Sequence, residues 1–279
     1  MKARIGVAVL VILGLLVVAF VAMAIVRQRA SHDRIACLNN FRELGQFAAM
    51  YEKNQQPDAK AEIRFFAVPA GTLVNPSLPP DQRLSWVAES LEYLSQLRQN
   101  SASLAEKLER GAAWDSDRNR GVAKTPIKLL LCPGAIPEQT PDTAAVAQIV
   151  GIGGIGPDGA TLGLGPPVPG RAGCFRYDTP TPLLTIREND GLSTTLLFGE
   201  TRRDLGPWIR GGPSTVRMLD VTPGSAPLIG GQFGGNYPGL AGFGLADGSA
   251  RFFADRVNPQ ILQSMFTIAG RGEDPLIGE

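Results

Sequence analysis

The apolar run near the N-terminus restricts the fold of this chain more than any other feature. Residues Ile5 to Val26 contain no charged or strongly polar side chain. About 20 apolar residues cross the hydrocarbon core of a bilayer as a helix. A cleaved signal peptide is the alternative, because Ala22-Met23-Ala24 fits a cleavage site, but its apolar region usually has about 7–15 residues. The length of the run therefore favours a retained transmembrane helix.

The charges of the chain argue against a nucleic-acid partner and leave the orientation of the span open. The sequence has 27 basic and 26 acidic residues, a net charge of +1. A nucleic-acid-binding protein normally shows a basic excess or a basic stripe. Lys2 and Arg4 precede the span, whereas Arg27, Arg29 and Arg34 follow it. The positive-inside rule therefore does not decide which side holds the rest of the chain.

The helix is predicted to continue beyond the membrane. After Arg29, apolar residues recur in steps of three and four, which is typical of one face of an amphipathic helix; they are Ile35, Leu38, Phe41, Leu44, Ala48 and Tyr51. A single helix from Ile5 to about Asn54 would be about 75 Å long. We therefore predict a membrane anchor at 1–30, with the transmembrane helix at about 5–26, a helix entering the body at 31–56, and an α+β domain at 57–279.

The remaining pattern predicts a helical first part and a strand-rich second part. A helix is expected over 85–108, and a last helical turn over 259–269. Short apolar runs between Gly and Pro predict strands at 64–68, 126–133, 183–186, 194–198, 215–219, 243–246 and 250–253. The expected fold class is α+β, with the long transmembrane-plus-amphipathic helix packed on an antiparallel β-sheet.

Three glycine-containing motifs are candidates for sites, and each has a structural alternative. Gly151 to Gly156 matches the dinucleotide pattern G-x-G-x-x-G, but no helix can follow it because Pro157-Asp158-Gly159 comes next, so we expect a surface loop. Asn189-Asp190-Gly191 lacks the ligand series of a calcium loop and is expected to be a turn. Asp247-Gly248 lies between apolar runs and predicts a hairpin turn.

The cysteines and the single histidine restrict the chemistry further. Cys37, Cys132 and Cys174 do not show zinc-ligand spacing. Cys37 and Cys132 could form a disulfide if the body lies outside the cytoplasm, with Cys174 as an alternative partner and buried free thiols as the other reading. His32 follows the membrane span, and its isolation argues against a His-based metal site or a Ser-His-Asp triad.

Several segments together resemble a known family. In chain order they are Cys37 to Gly45 with Asn39 and Asn40, Ser85-Trp86 with Leu91 to Leu94, Trp114-Asp115 with Asn119, Pro126-Ile127 with Leu131 to Pro133, Asp190-Gly191 to Leu196 with Gly199-Glu200, Pro207-Trp208, and Ala246 to Phe252 with Asp247-Gly248. They resemble the large planctomycete family of prepilin-like (pseudopilin-like) proteins of unknown function, whose C-terminal region carries an H-x9-DG motif.

The resemblance implies a pilin-like protein with its body outside the cytoplasm, and this placement supports the Cys37–Cys132 disulfide. Two features depart from the family pattern. The span has no glutamate and lacks the usual G-F-T-L-I-E start, so neither processing by a prepilin peptidase nor filament assembly is predicted. Tyr237 occupies the position of the family histidine, so the motif reads Y-x9-DG and does not depend on imidazole chemistry.

The expected function is a structural or assembly role in the cell envelope, without enzymatic activity, cofactor or metal. Its expected partners are membrane lipid, through the N-terminal helix, and other proteins or further copies of the chain, through the long helix. An anchored module that binds glycan or another polymer is the alternative, with Trp86, Trp114, Trp208 and Tyr237 as exposed contacts. A hydrolase is disfavoured because no nucleophile–base pair is visible. Glu200 could pair with an arginine such as Arg202 or Arg203, and as a lone carboxylate it is weak evidence for catalysis.

Overall fold

One helix dominates the fold and confirms the sequence prediction. The computed structural model describes residues 2–55, 67–94, 102–134, 143–235 and 237–270, and within the first helix it describes the side chains of residues 12–46. Helix α1 runs without a break over Lys2–Gln55. At 1.5 Å per residue it is about 80 Å long.

The first half of α1 presents apolar side chains that nothing in the described body covers. The side chains of residues 12–26 are all exposed, and Phe20, for example, is 69% exposed. By length and composition this helix can cross a membrane. His32, just beyond the apolar run, is also exposed on the helix surface.

The second half of α1 packs on the body through a narrow stripe. Cys37, Phe41 and Leu44 are completely buried, and their spacing of four and three residues places them on one helix face. The ring of Phe41 lies where side chains at Gly242 and Gly244 would point, at 2.9 and 3.2 Å from the two ideal Cβ positions. Glycine at these strand positions therefore lets the helix approach the sheet closely.

The body is built on a five-stranded sheet with the order β5-β2-β4-β6-β7. The pairs β2–β4, β4–β6 and β6–β7 are antiparallel, whereas β2–β5 is parallel. A second, two-stranded sheet pairs β1 with β3. The strands are β1 Ala67–Val68, β2 Ile149–Ile155, β3 Thr181–Pro182, β4 Leu196–Glu200, β5 Val216–Leu219, β6 Leu240–Leu245 and β7 Ala250–Ala254.

Short helices and buried aromatic rings complete the core. The helices are α2 Trp86–Leu94, α3 Ala102–Ala105, α4 Asp117–Ala123, α5 Leu183–Glu188 and α6 Pro259–Ser264. Trp86, Phe175 and Phe198 stack with ring centroids 5.2–5.5 Å apart. Such tilted contacts add to the burial of large apolar side chains. The α+β class is confirmed, with helices before the main sheet and strands within the second part.

Several sequence expectations about local elements are wrong. The apolar segment 126–133 contains a 3₁₀ helix, Lys128–Leu130, instead of a strand, because Leu130 and Leu131 bond back to Ile127 and Lys128. Segment 183–186 lies in α5, where Leu183 and Ile186 are buried at helical spacing. The helix expected over 85–108 appears as α2 and α3, with residues 95–101 outside the described part. Of the strand expected at 64–68, only 67–68 are described.

The glycine-rich segment 151–156, expected as a surface loop, is instead part of the buried central strand β2. A side chain at Gly151 would meet the ring of Phe175 at 2.5 Å, and one at Gly154 would meet the Arg171 carbonyl at 2.2 Å. The glycines are therefore explained by close packing in the sheet. Only a three-residue 3₁₀ helix, Gly159–Thr161, follows β2 directly, and the dinucleotide motif needs an α-helix there, so the pattern has no structural support.

Candidate functional site

A disulfide fixes α1 to the body. Cys37 on α1 is bonded to Cys132, with the Cα atoms 4.7 Å apart, and both residues are fully buried. Next to it the Asn40 amide donates a 2.8 Å hydrogen bond to the Leu131 carbonyl. The predicted pairing is confirmed. Cys174 is free and buried, and burial raises the pKa of its thiol, so the third cysteine is unreactive.

A buried carboxyl group lies directly against this disulfide. An oxygen of Glu200, at the end of β4, lies within 4.8 Å of both sulfur atoms, and the residue is only 1% exposed. The Gly242 N–H donates to Glu200 Oε2 at 3.2 Å. Burial raises the pKa of Glu200 to about 7, against the opposing effects of the Gly242 hydrogen bond and the Arg202 charge. Glu200 therefore exchanges its proton near neutral pH.

Tyr237 lies near Glu200, between β7 and α1. Its ring meets Phe252 of β7 edge-on at 5.5 Å, and the guanidinium of Arg34 lies over it at 4.6 Å. The Tyr237 hydroxyl is buried and has no hydrogen-bond partner among the described residues. Burial raises the pKa of this hydroxyl, and the charges of Asp33 and Glu200 add to the effect. We call Arg34, Cys37, Cys132, Glu200 and Tyr237 the helix–body junction.

The chemistry available at the junction depends on the state of the cysteines. Two sulfur atoms and a carboxylate at this separation would suit a thiophilic cation if both sulfurs were thiolates. In the observed structure the two sulfurs are bonded to each other, which removes both thiolate ligands. The group that remains active at the junction is the Glu200 carboxyl, which can take up or release a proton.

The Asp-Gly motif forms the predicted turn, and it lies at the far end of β6 from Tyr237. Gly248 has a φ of +82°, and the Ser249 N–H bonds to Asp247 Oδ1 at 2.9 Å. Helix α1 packs directly on this turn, because a Cβ at Gly45 would lie 2.8 Å from the Gly248 Cα atom. The nine residues between Tyr237 and Asp247 therefore set two separate contacts with α1, one at Arg34 and one at Gly45.

We predict that Gly248→Val lowers the free energy of unfolding by about 2 kcal/mol or more, because a β-branched residue is strained at this positive φ. Tyr237→Phe is the comparison, and we expect a change within about 1 kcal/mol because the hydroxyl that it removes is unpartnered. Denaturant unfolding of the full chain measures both effects. A Gly248→Val protein as stable as the unmodified chain would contradict the structural role of the turn.

The loop at Asp190-Gly191 supports this turn from the opposite side. Asp190 is 4% exposed and its Oδ2 accepts a 2.7 Å hydrogen bond from the Gly270 N–H. Gly191 has a φ of +87°. The Asp247 N–H bonds to the Leu192 carbonyl at 3.1 Å. The loop is therefore a turn, as predicted, and its carboxylate holds the C-terminal segment.

The other motif residues lie away from the junction. Asn39 is exposed and accepts a hydrogen bond from Arg42, while Asp115 is exposed near the start of α4. Trp114 is partly buried against the core, and the Arg210 guanidinium lies 5.6 Å from its ring centre. These three residues therefore contribute to local structure and do not join Glu200 and Tyr237.

Three of the four aromatic contacts expected for a glycan-binding module are not available, Trp114 being partly exposed. Trp86 and Trp208 are fully buried, and Tyr237 is 7% exposed. The indole N–H groups of the two tryptophans bond to the Thr215 and Thr125 carbonyls. The expectation that these rings are exposed is wrong, because the core of this Gly- and Pro-rich body uses its few large aromatic side chains for packing.

Sequence reasoning missed three residues that shape the site. The Arg34 guanidinium lies over the ring of Tyr237. Gly45 has no side chain and so lets the Asp-Gly turn pack against α1. Gly235 leaves the space that the Glu200 carboxyl fills, since a Cβ there would lie 1.6 Å from Oε1. Gly45 ends the helical motif that starts at Cys37, so its position in a helix facing the body was a usable signal. The contacts of Arg34 and Gly235 leave no signal in local spacing.

Fold and junction together define an α+β protein whose long N-terminal helix is apolar enough to cross a membrane and is covalently fixed to its body. Residues 29–225 match the family described as a protein of unknown function, DUF1559. The match covers most of the chain, and the chain belongs to this family. No curated protein and no solved structure matches it.

Proposed function

We propose that this protein is a membrane-anchored, pilin-like envelope protein with a structural or assembly role and no enzymatic activity, its body on the extracytoplasmic side. The observation that carries the proposal is the continuity of α1. Its first part exposes only apolar side chains over residues 12–26, which water disfavours and a bilayer accepts. Its second part is buried in the body at Cys37, Phe41 and Leu44.

The contacts of α1 support a rigid link between membrane and body. The helix is held by the disulfide at Cys37, by the ring of Phe41 between strand glycines, and by the close approach of Gly45 to the turn. An unbroken helix also leaves no flexible linker between the two parts. Such a link suits a protein whose position relative to the membrane matters, as in an assembly scaffold.

The disulfide supports the extracytoplasmic side for the body, since disulfides persist in oxidising compartments. Lys107→Cys provides a test, because Lys107 is exposed. A membrane-impermeant maleimide applied to intact cells is expected to label this variant. Labelling only after the cells are broken would place the body in the cytoplasm.

Deletion of residues 1–30 tests the anchoring role directly. We expect the truncated chain to leave the membrane fraction while keeping the Cys37–Cys132 disulfide, because both cysteines lie outside the deletion. A matched pair separates anchoring from truncation: Leu16→Asp/Phe20→Asp should release the chain, and Leu16→Val/Phe20→Leu should not. A truncated chain that stays on membranes and keeps all its partners in pull-downs would refute the proposal.

A further inference from the structure

A cavity lies beside the junction, and the charged residues that line it in the described chain are all basic. It has a volume of about 430 Å³ and is formed by the residues after β4 and the glycine-rich segment before β6. Its only charged lining residues are Arg202 and Arg203; the others are Gly230, Gly231, Phe233, Gly234, Gly235, Tyr237, Pro238, Gly239 and Leu240. We call it the arginine pocket.

The two arginines are available to a ligand. Both are exposed, and neither guanidinium has a hydrogen-bond or ion-pair partner in the described part of the chain. The carboxyl groups of Glu200 and Asp255 lie against Gly235 and Gly239 and do not line the pocket, and the Arg202 charge acts on the buried Glu200 carboxyl. Paired exposed guanidinium groups that hold no carboxylate by a hydrogen bond are suited to bind an oxyanion such as phosphate.

The walls of the pocket consist mostly of backbone. Gly230, Gly234 and Gly239 have φ values of +79°, +140° and +68°, so this segment turns sharply without side chains that would fill the space. The N–H groups of Gly230, Gly234 and Leu240 donate to backbone carbonyls within the described chain, so the two arginines are the groups that would hold a phosphate. Of the apolar lining, Phe233 and Tyr237 are buried at 2% and 7% exposure, whereas Pro238 is exposed and Leu240 is partly exposed.

The pocket also lies close to the expected membrane surface. Tyr237 forms part of its wall and contacts Arg34 of α1. Arg34 follows the last residue of the apolar run, Val26, by two helical turns, or about 12 Å. The headgroup layer occupies about 5–7 Å on each side of a bilayer. For a helix along the bilayer normal, Arg34 therefore lies about 5 Å beyond the headgroup layer, so the pocket is at the end of the body that is nearest to the lipid phosphates.

We propose that the arginine pocket binds a phosphate group, carried by an anionic phospholipid headgroup at the membrane surface. This inference rests on the proposed anchoring of α1 for the source of the phosphate, although the pocket chemistry itself does not require the anchor. Binding here would fix the body against the membrane at a second point, in addition to the transmembrane helix.

The test uses the full chain in neutral detergent micelles, with phosphatidylglycerol, phosphatidylcholine or inorganic phosphate added at matched ionic strength. The readouts are the thermal unfolding midpoint and the lipid retained in native mass spectrometry. Arg202→Ala/Arg203→Ala is expected to weaken phosphatidylglycerol binding about thirtyfold. Each lost cation costs roughly 1 kcal/mol of binding free energy, and 1.4 kcal/mol corresponds to about a tenfold change in affinity. Lys107→Ala/Arg187→Ala removes the same charge from exposed positions outside the pocket and should leave binding unchanged.

Each result decides one part of the proposal. Loss of phosphatidylglycerol binding in the pocket variant alone supports the lipid headgroup as ligand. If inorganic phosphate stabilises the protein as much as phosphatidylglycerol does, and only the pocket variant loses this effect, the pocket is a phosphate site whose ligand comes from solution. Equal phosphatidylglycerol binding by the pocket variant and its control overturns the inference. Failure of anchoring shows separately, in the membrane fractionation of the 1–30 deletion.

Discussion

Replacing both Cys37 and Cys132 by alanine is expected to lower the free energy of unfolding by about 4–5 kcal/mol. The disulfide closes a loop with a sequence separation of 95, and the stabilisation in the chain-entropy account grows with the logarithm of loop length. The variant also leaves cavities where two buried sulfur atoms lay, beside the stripe that holds α1 on the sheet. Denaturant unfolding monitored by tryptophan fluorescence measures the loss.

A reducing agent supplies the control for this prediction. The unmodified chain should lose a similar amount of stability when reduced, whereas the double variant should not respond, because its remaining cysteine, Cys174, is free in both conditions. An unmodified chain whose unfolding midpoint is the same with and without reductant would contradict the structural importance of the bridge. Mass spectrometry of the non-reduced protein checks the pairing itself.

The second large effect is a loss of stability between mildly acidic and weakly basic pH, caused by Glu200. The pKa of its carboxyl is raised from 4.5 to about 7 in the folded protein, mainly by burial. Below pH 4.5 the group is protonated in both states. As the pH rises from 4.5 to 7, the unfolded state releases this proton first, so folding becomes less favourable. The expected loss is about 3 kcal/mol, complete above pH 7.

Glu200→Gln should remove this pH dependence, because the amide keeps the shape of the protonated acid and its oxygen can still accept the Gly242 hydrogen bond. Glu188→Gln, on the exposed end of α5, makes the same change of charge and should leave the pH profile as it is. Asp158, whose pKa is lowered chiefly by its hydrogen bond to Arg171, titrates below this window. Identical profiles for Glu200→Gln and the unmodified chain would show that Glu200 is not the responsible group.

The long helix and the hairpin were predictable because each leaves a local pattern. Residues 5–26 are continuously apolar, the stripe through Phe41 and Leu44 has helical spacing, and Asp247-Gly248 separates two apolar runs. The strands predicted at 126–133 and 183–186 were wrong because a short apolar run fits a strand or a buried helical turn equally well. Segment 151–156 misled because its glycines serve packing inside a sheet, which only the neighbouring Phe175 and Arg171 reveal.

The individual residues of the site could be picked out in the sequence, whereas their proximity in space could not be predicted. The Cys37–Cys132 pairing was one of several alternatives, favoured by the family resemblance. Glu200 appeared as a lone carboxylate, since nothing in the sequence near it indicates that residues 37, 132 and 235 surround it. Its raised pKa follows from that long-range burial. Arg202 and Arg203 were possible partners of Glu200 in the sequence, whereas the cavity beside them is visible only in the fold.

The position of the disulfide also determines how the protein carries mechanical load. A pulling force between the apolar end of α1 and the sheet enters through α1 and reaches Cys37, where the covalent bond passes it directly to Cys132. The covalent path bypasses residues 38–131, so α2, α3 and α4 lie outside it. The sheet that follows Cys132 receives the force through this bond and through the contacts of Phe41 and Gly45 with the strand glycines and the Asp-Gly turn.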